Sequence, residues 1–329
     1  FWHGEQWSAE TLRVRQQSAQ QGVVRPALVF DQTCQYVRQV VNDARLNPPA
    51  LRAQPADERA APEVADALQG LFRHIERVSR AQAAYLTALE WAVVVGRGAF
   101  RVYSELVDKR RNLYEPRIGR IANPLMAYFD EFSVELDGSD SMDAMLVLPH
   151  SRDAFKQAFP KAEATASWDV IDDWHTSDTI MVAEWHSVRE VTQKIALIDD
   201  DTEIVLPDDP KDITPEQAQM LAGGYREEAR EQKVCTIRTL SGVEELKEAE
   251  TFHAGHVGLI PVYGNERYTD NERDLFGLIR LAKDPQRLLN YFGSNMAEAA
   301  NGQTRSPWLA SVRAVAGLED QWNTAANAM

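Results

Sequence analysis

Few residues of this chain stand at spacings that could do chemistry. His253 and His256 lie three apart with Glu250 just upstream, a donor set that zinc can use, but they fall in a glycine-containing loop with no cysteine nearby. A loop at the entrance to a strand is the favoured reading. Between 168 and 185, Asp169, Asp172, Asp173, Asp178 and Glu184 are interleaved with Trp168, Trp174 and Trp185. Glycoside hydrolysis needs two carboxylates flanking a sugar and often stacks it on aromatic rings; an edge loop of solvated aspartates with tryptophan anchors has the same composition. Gly96-Arg97-Gly98 follows a helix pattern and precedes a strand pattern, the reverse of the order a dinucleotide site requires, so it reads as a turn. Neither G-x-x-x-x-G-K-[ST] nor G-x-S-x-G occurs. The two cysteines, Cys34 and Cys235, are far apart and have no metal-ligand spacing. No catalytic residue, cofactor site or metal ligand is therefore assigned.

The elements that would position any such group belong to a chain of 329 residues with 35 Lys+Arg against 50 Asp+Glu, a net charge of −15. That balance excludes a simple basic nucleic-acid binder, whose affinity comes from neutralising phosphates. With 44% apolar residues and eight tryptophans the chain can build a sizeable core. Apolar stretches such as Trp91 to Val95 are far short of the ~20 residues that span a bilayer, and no signal sequence opens the chain, so a soluble protein made in a reducing compartment is expected. The chain opens on Phe1 rather than Met and stops at Met329 after a polar run, which reads as a piece cut from a longer polypeptide.

Periodicity predicts a polar helix over Trp7 to Gln21 with Ser8 as its cap, a second over Pro26 to Leu46 ended by Asn47-Pro48-Pro49, and one long helix over Pro62 to Val95. Strand patterns follow at Ala99 to Leu106, Pro116 to Ile121, Met126 to Phe129 and Met145 to Leu148, then a short helix over Arg152 to Phe159 capped by Ser151. Thr179 to Val191 and Gln193 to Ile198 read as a paired strand unit. An acidic insertion, 199–233, holds a possible helix start at Thr214-Pro215-Glu216. Strands resume at Val234 to Leu240 and Val257 to Tyr263. The last clear element is a helix from Phe276 to Ala300 whose apolar side is Leu278, Leu281, Leu288, Leu289, Phe292 and Met296, with a kink or restart expected near Lys283 because of Pro285. Beyond it, Thr304 to Met329 reads as loop and short strand. The fold class expected is α+β.

Several runs, in order, resemble the portal (head-to-tail connector) proteins of tailed double-stranded DNA bacteriophages, short-tailed ones in particular. They are Phe1-Trp2-His3-Gly4-Glu5-Gln6-Trp7; the helix holding Val37 to Asn42 followed by Asn47-Pro48-Pro49; Trp91 to Val102 with its Gly96-Arg97-Gly98; Arg120-Ile121-Ala122-Asn123-Pro124 leading to Phe129-Asp130; and Asp137 to Ala144. The most specific are Ile260-Pro261-Val262-Tyr263-Gly264 and then Gly277 to Asn290, which contains Lys283-Asp284-Pro285-Gln286-Arg287. The resemblance implies a portal fold: a helical and strand-rich wing over 1–275 (helices 8–95, strands 99–263), a long stem helix over 276–302 and the start of a small clip over 303–329. The returning stem helix and the crown are expected to be absent from this sequence.

The resemblance also implies a ring, dodecameric in the family, at one capsid vertex of the virion, made in the host bacterial cytoplasm. It would be the channel for genome packaging and ejection. It would contact major capsid and scaffolding proteins, the terminase large subunit, which supplies the ATP hydrolysis, and head-to-tail adaptor or tail proteins. Double-stranded DNA would pass without tight binding, and no membrane or cofactor is involved. Arg280, Lys283 and Arg287 share one face of the stem helix. They either pair with Asp284 or with acids of a neighbouring subunit, or form a ring of positive charge facing DNA or the capsid collar. Trp308, Arg313 and Trp322 are either a clip core between subunits or a contact for terminase or adaptor. The competing class is a virion-associated carbohydrate-active hydrolase built on the Trp/Asp cluster 168–185.

Overall fold

The computed structural model describes residues 1–20, 25–48, 50–55, 61–108, 110–111, 113–162, 174, 178–199, 202–206, 218, 220–221, 224–242, 244–252, 255–270, 272–303 and 311–317. The class is α+β, as the periodicities imply. The chain divides into two compact units, one of Phe1–Val40 with Leu278–Met329 and one of Val41–Gly277.

The Val41–Gly277 unit is a pair of antiparallel sheets with helices. β1 (Arg97–Asp108) lies between β2 (Leu113–Arg120) and β9 (Leu259–Tyr263). The second sheet runs β3 (Ala127–Phe129), β4 (Asp143–Ser151), β5 (Thr179–Asp199), β7 (Arg226–Leu240), β8 (Glu250–Phe252), with β6 (Thr202–Leu206) also on β5. β10 (Asn265–Thr269) and β11 (Glu272–Phe276) form a separate hairpin. Side chains alternate along a strand, and here one parity builds the core: Ala99 and Leu259 from the smaller sheet meet Ala144, Leu146, Val188 and Cys235 from the larger, all buried. Phe155 of α5 (Arg152–Ala158) packs with Ile180 and Val182 as a satellite core. The Ser151 hydroxyl caps α5 by accepting from the Ala154 N–H at 3.3 Å.

The other parity of the smaller sheet faces helix α4 (Ala81–Val95), whose buried Ala84, Ala88 and Ala92 form a ridge of small residues. Contact is close enough that a Cβ on Gly98 would overlap the Ala88 carbonyl, and one on Gly264 the Ala92 carbonyl. The 62–95 region is two helices rather than one. α3 (Pro62–Ser79) ends at Arg80, which takes a left-handed φ of 52° and gives its N–H to the Arg77 and Glu76 carbonyls. The break frees α4 to lay its alanine ridge on the sheet, while α3 has no buried residue.

Two further sequence expectations change. The stretch read as a paired unit over 179–198 is one 21-residue strand, β5, whose outer half pairs with β7 from Val188↔Cys235 to Leu197↔Arg226. That ladder and β6 take up much of the acidic insertion 199–233; the helix start at Thr214 lies outside the described residues.

In the other unit, α1 (Ala9–Gln20) opens with the Ser8 hydroxyl accepting from the Thr11 N–H at 3.2 Å. α2 (Thr33–Leu46), in which the unit boundary falls, begins seven residues later than periodicity suggests. Residues 25–32 are extended instead, and Asp31 accepts from the Thr33 N–H at 2.9 Å to start the helix. α6 (Leu278–Gln303) runs unbroken through Pro285, and α7 (Val312–Val315) is a single turn. Among the described residues no helix is long and apolar enough to cross a membrane.

Candidate functional site

The long helix α6, about 39 Å at 1.5 Å per residue, carries the candidate site. Its first turn buries Ile279, 5% exposed, and leaves Leu278 half-buried, but the apolar residues beyond that turn do not point into a core. Leu281, Leu288, Leu289, Phe292 and Met296 are 59, 55, 42, 57 and 73% exposed. The buried face is polar: Gln286, Asn290 and Ser294 are 4, 1 and 0% exposed. The sequence expectation of an inward apolar side is thus inverted, and the reason lies in what the polar face holds.

Gln286, Asn290 and Ser294 recur every fourth residue and so rise ~6 Å apart on one side of the helix. Alternate residues of an extended chain rise ~6.6 Å. The two repeats match closely enough for each side chain to take one rung of the segment 28–32. The Ser294 hydroxyl accepts from the Leu28 N–H at 2.9 Å, Asn290 Oδ1 from the Phe30 N–H at 2.8 Å, and Gln286 Oε1 from the Gln32 N–H at 3.1 Å. Gln286 Nε2 donates to the Phe30 carbonyl at 2.7 Å and to Asn290 Oδ1 at 3.0 Å, and Asn290 Nδ2 donates to Gln6 Oε1 at 2.7 Å. A strand normally finds these partners on another strand; here amide and hydroxyl side chains supply them, and the buried polar network is satisfied. Gly293 admits the Phe30 ring, which a Cβ would overlap.

The arm is pinned at both ends. Arg15, 8% exposed, donates to the Pro26 carbonyl and to Asn295 Oδ1 at 3.4 Å, and its guanidinium lies 4.7 Å from the Trp7 ring centroid and 5.9 Å from that of Tyr291. Asp31 accepts from Gln6, Thr33 and the Cys34 thiol. Burial pushes the Asp31 carboxyl up, but the hydrogen bonds from Cys34, Thr33 and Gln6 outweigh it and hold it below the usual carboxylate range. The same Asp31 hydrogen bond, with burial behind it, raises the Cys34 thiol.

Of the site residues expected from sequence, Arg280, Lys283 and Arg287 all lie on α6. Lys283 and Arg287 converge on the Phe1 ring, at 5.9 and 5.7 Å from its centroid, and Arg287 pairs with Asp284 at 3.3 Å on an exposed surface where such a pair contributes little. Arg280 is exposed one turn before them. Arg313 is exposed on α7, while Trp308 and Trp322 lie outside the described residues. So do Trp168, Asp169, Asp172, Asp173 and His253. Three described members of those clusters have structural bonds: Glu184 pairs with Arg101 at 3.1 Å, the Trp185 indole donates to Asp143 at 3.2 Å, and His256 Nδ1 is 2.9 Å from the Val257 carbonyl. Among the described residues no group of three or more His, Cys, Asp or Glu side chains is placed to hold a metal. Sequence reasoning missed Gln286, Asn290 and Ser294; their i, i+4, i+8 polar spacing on the side away from the apolar stripe was the available signal.

The described residues thus define an α+β class of chain with a two-sheet unit and, in the other unit, a long helix that grips an extended arm on its polar side and leaves its apolar side exposed. Comparison with known proteins gives the class its family: the model for the phage P22-like portal protein matches residues 1–328, and the chain belongs to that family. It is 26% identical over 314 residues to a portal protein of Acyrthosiphon pisum secondary endosymbiont phage 1, an alignment covering 87% of this chain and 41% of that protein. The chain thus spans about two fifths of that relative's length. The resemblance read from the residue runs between Phe1 and Asn290 is borne out.

Proposed function

We propose that this chain is the wing, first stem helix and start of the clip of a portal subunit. Copies of it form a ring, twelve by family resemblance, at one capsid vertex of the virion. The ring is the channel through which double-stranded DNA is packaged and ejected, and the seat for the terminase large subunit and for head-to-tail adaptor proteins. The observation that carries this reading is the exposed stripe Leu281, Leu288, Leu289, Phe292 and Met296 on α6. Such a stripe on a helix whose other side is already occupied is a surface for a further helix, and the stem of a neighbouring copy would supply one. The net charge of −15 supports passage without capture, since an acidic wall disfavours the counterion release that drives DNA binding.

Within that ring, Arg280, Lys283 and Arg287 form a belt of positive charge on the stem, and Arg313 with Trp308 and Trp322 belongs to the clip contact for terminase or adaptor. The test is sedimentation and negative-stain imaging of the full chain. Closed rings with a central hole are expected, and Leu288→Lys with Phe292→Lys should yield folded monomers. A wild-type chain that stays monomeric at tens of micromolar removes the reading. Intact rings of Lys283→Glu/Arg287→Glu that package DNA normally remove the role given to the stem charges.

A further inference from the structure

Two surfaces of the Val41–Gly277 unit are unfinished in complementary ways. The first is a cleft of about 860 Å³ where α3 meets α4, floored by Tyr85, Leu89 and Phe100 and rimmed by Arg73, Arg77 and Arg80. The three arginines are exposed, they follow one another at i, i+4, i+7, and none of them ion-pairs among the described residues. Among the described residues the only lining acid is Glu76, which accepts from the Tyr85 hydroxyl at 3.4 Å. Its apolar floor is completed by Leu86 and Val262. It is a site for something apolar and negatively charged.

The second surface is the loop 131–137, Glu-Phe-Ser-Val-Glu-Leu-Asp. Its apolar side chains stand in solvent, Phe132 at 87%, Val134 at 61% and Leu136 at 60% exposure, and Glu131, Glu135 and Asp137 between them are exposed too. This is not a slack loop. Asp140 accepts from the Ser133 hydroxyl at 2.6 Å and from the Val134 and Glu135 N–H groups at 2.6 and 3.2 Å. Asp130 accepts from the Phe132 and Met142 N–H groups, and Arg273 donates to the Ser133 carbonyl at 2.8 Å. The backbone is fastened while three apolar side chains are held outward, so little order is left to impose when they dock.

The two surfaces lie on opposite faces of the smaller sheet. Phe100 and Val262 line the cleft, on the side of the sheet that α4 covers. Pro261, the next residue along β9 and therefore pointing to the other face, is the neighbour of Gly138 at the end of the loop. A chain cannot place its own loop in its own cleft through its own sheet. We infer that the 131–137 loop of one copy docks in the α3–α4 cleft of the next, three carboxylates against three guanidiniums around an apolar centre. Such a contact joins unlike patches, so each copy keeps one free cleft and one free loop, and the association ends only when it closes on itself. The inference rests on the ring reading above and names the wing surfaces that set its direction.

The test uses the full chain. Arg77→Glu/Arg80→Glu reverses the cleft, and Glu131→Arg/Glu135→Arg reverses the loop. Each variant alone should sediment as a folded monomer where wild type is a ring. Mixed in equal amounts they should reassemble, because every loop then meets a cleft of opposite charge in an alternating order, and the four substitutions combined in one chain should also restore assembly. Phe132→Ser should weaken assembly at least tenfold with an unchanged circular-dichroism spectrum. Rings of normal stability from either reversed variant alone overturn the docking and leave the ring reading standing. Loss of assembly that neither mixing nor the combined variant restores also overturns it. A wild-type chain that never assembles refutes the ring reading itself.

Discussion

His186 should make the stability of this protein fall as the solution is acidified through the histidine range. The imidazole is 4% exposed on β5, its Nδ1 accepts from the Gly258 N–H at 3.3 Å, and its Nε2 is buried with no partner among the described residues. Burial, with a smaller contribution from the nearby Arg101 guanidinium, lowers its pKa from 6.5 to about 4. Because the folded value lies below the unfolded one, the unfolded chain takes up the proton first as pH drops. The stability is complete above pH ~6.5 and is lost on the way down to ~4. A difference of about 2.5 pKa units corresponds to ~3 kcal/mol in all, of which ~2 kcal/mol is lost by pH 5. The assay is urea unfolding by tryptophan fluorescence at pH 7.5 and 5.0, at one protein concentration, for wild type and His186→Asn. Asparagine keeps a neutral acceptor near the Gly258 N–H, so its own cost offsets the curve at both pH values. Wild type should lose ~2 kcal/mol more than the variant between the two pH values. Parallel losses would show that the imidazole is not held neutral by burial and would refute the reasoning.

Replacing Asn290 by Ala strands the Phe30 N–H and Gln6 Oε1 and should cost about 2–4 kcal/mol in urea unfolding, with faster amide exchange at Phe30. Gly98→Ala drives a methyl into the Ala88 carbonyl and should destabilise by more than ~2 kcal/mol, whereas Gly70→Ala, in the open on α3, should stabilise by ~0.5–1 kcal/mol; thermal melts of the two variants separate them. Burial pushes the Cys235 thiol up to about 11, so a thiol-reactive dye at pH 8 should leave Cys235 unmodified in the native protein and label it only in denaturant, read by peptide mass.

The sequence was most readable where local chemistry and packing agree. Ser151 ahead of a short amphipathic run, with Pro160 behind it, marks α5 to within a residue, and the strand patterns at Ala99, Met145 and Val257 fall on β1, β4 and at the entry to β9, which supply the inner face of the sheets. It was least readable where a partner outside the element decides the outcome. Nothing in Val78-Ser79-Arg80-Ala81 announces a helix break, because Arg80 takes a conformation that glycine or asparagine would normally signal. Residues 26–32 read as the first turns of a helix whose spacing is carried by Tyr36 to Ala44, yet the main chain of 28–32 is claimed by Gln286, Asn290 and Ser294 more than 250 positions away. For the same reason α6 reads as a helix with a buried apolar side when its buried side is polar. The candidate site was thus legible as a helix and a set of charges, and not as a face.

The grip of α6 on the 28–32 arm also works as a vernier. Each helical rung advances ~6.0 Å and each pair of extended residues ~6.6 Å, so the two scales slip by ~0.6 Å per rung. Centred on Asn290, where the network is tightest, the slip stays within ordinary hydrogen-bond tolerance for one rung on either side and exceeds it after that. Three rungs is therefore the natural length of such a clamp, and three are present. A single residue inserted between Leu28 and Gln32 would turn one main-chain edge of the arm away from the helix and break the match on one side of the insertion, while an insertion before Pro26 would leave it intact. The clamp reads the phase of the chain through its main-chain groups, and meets one side chain of the arm, Phe30, at Gly293.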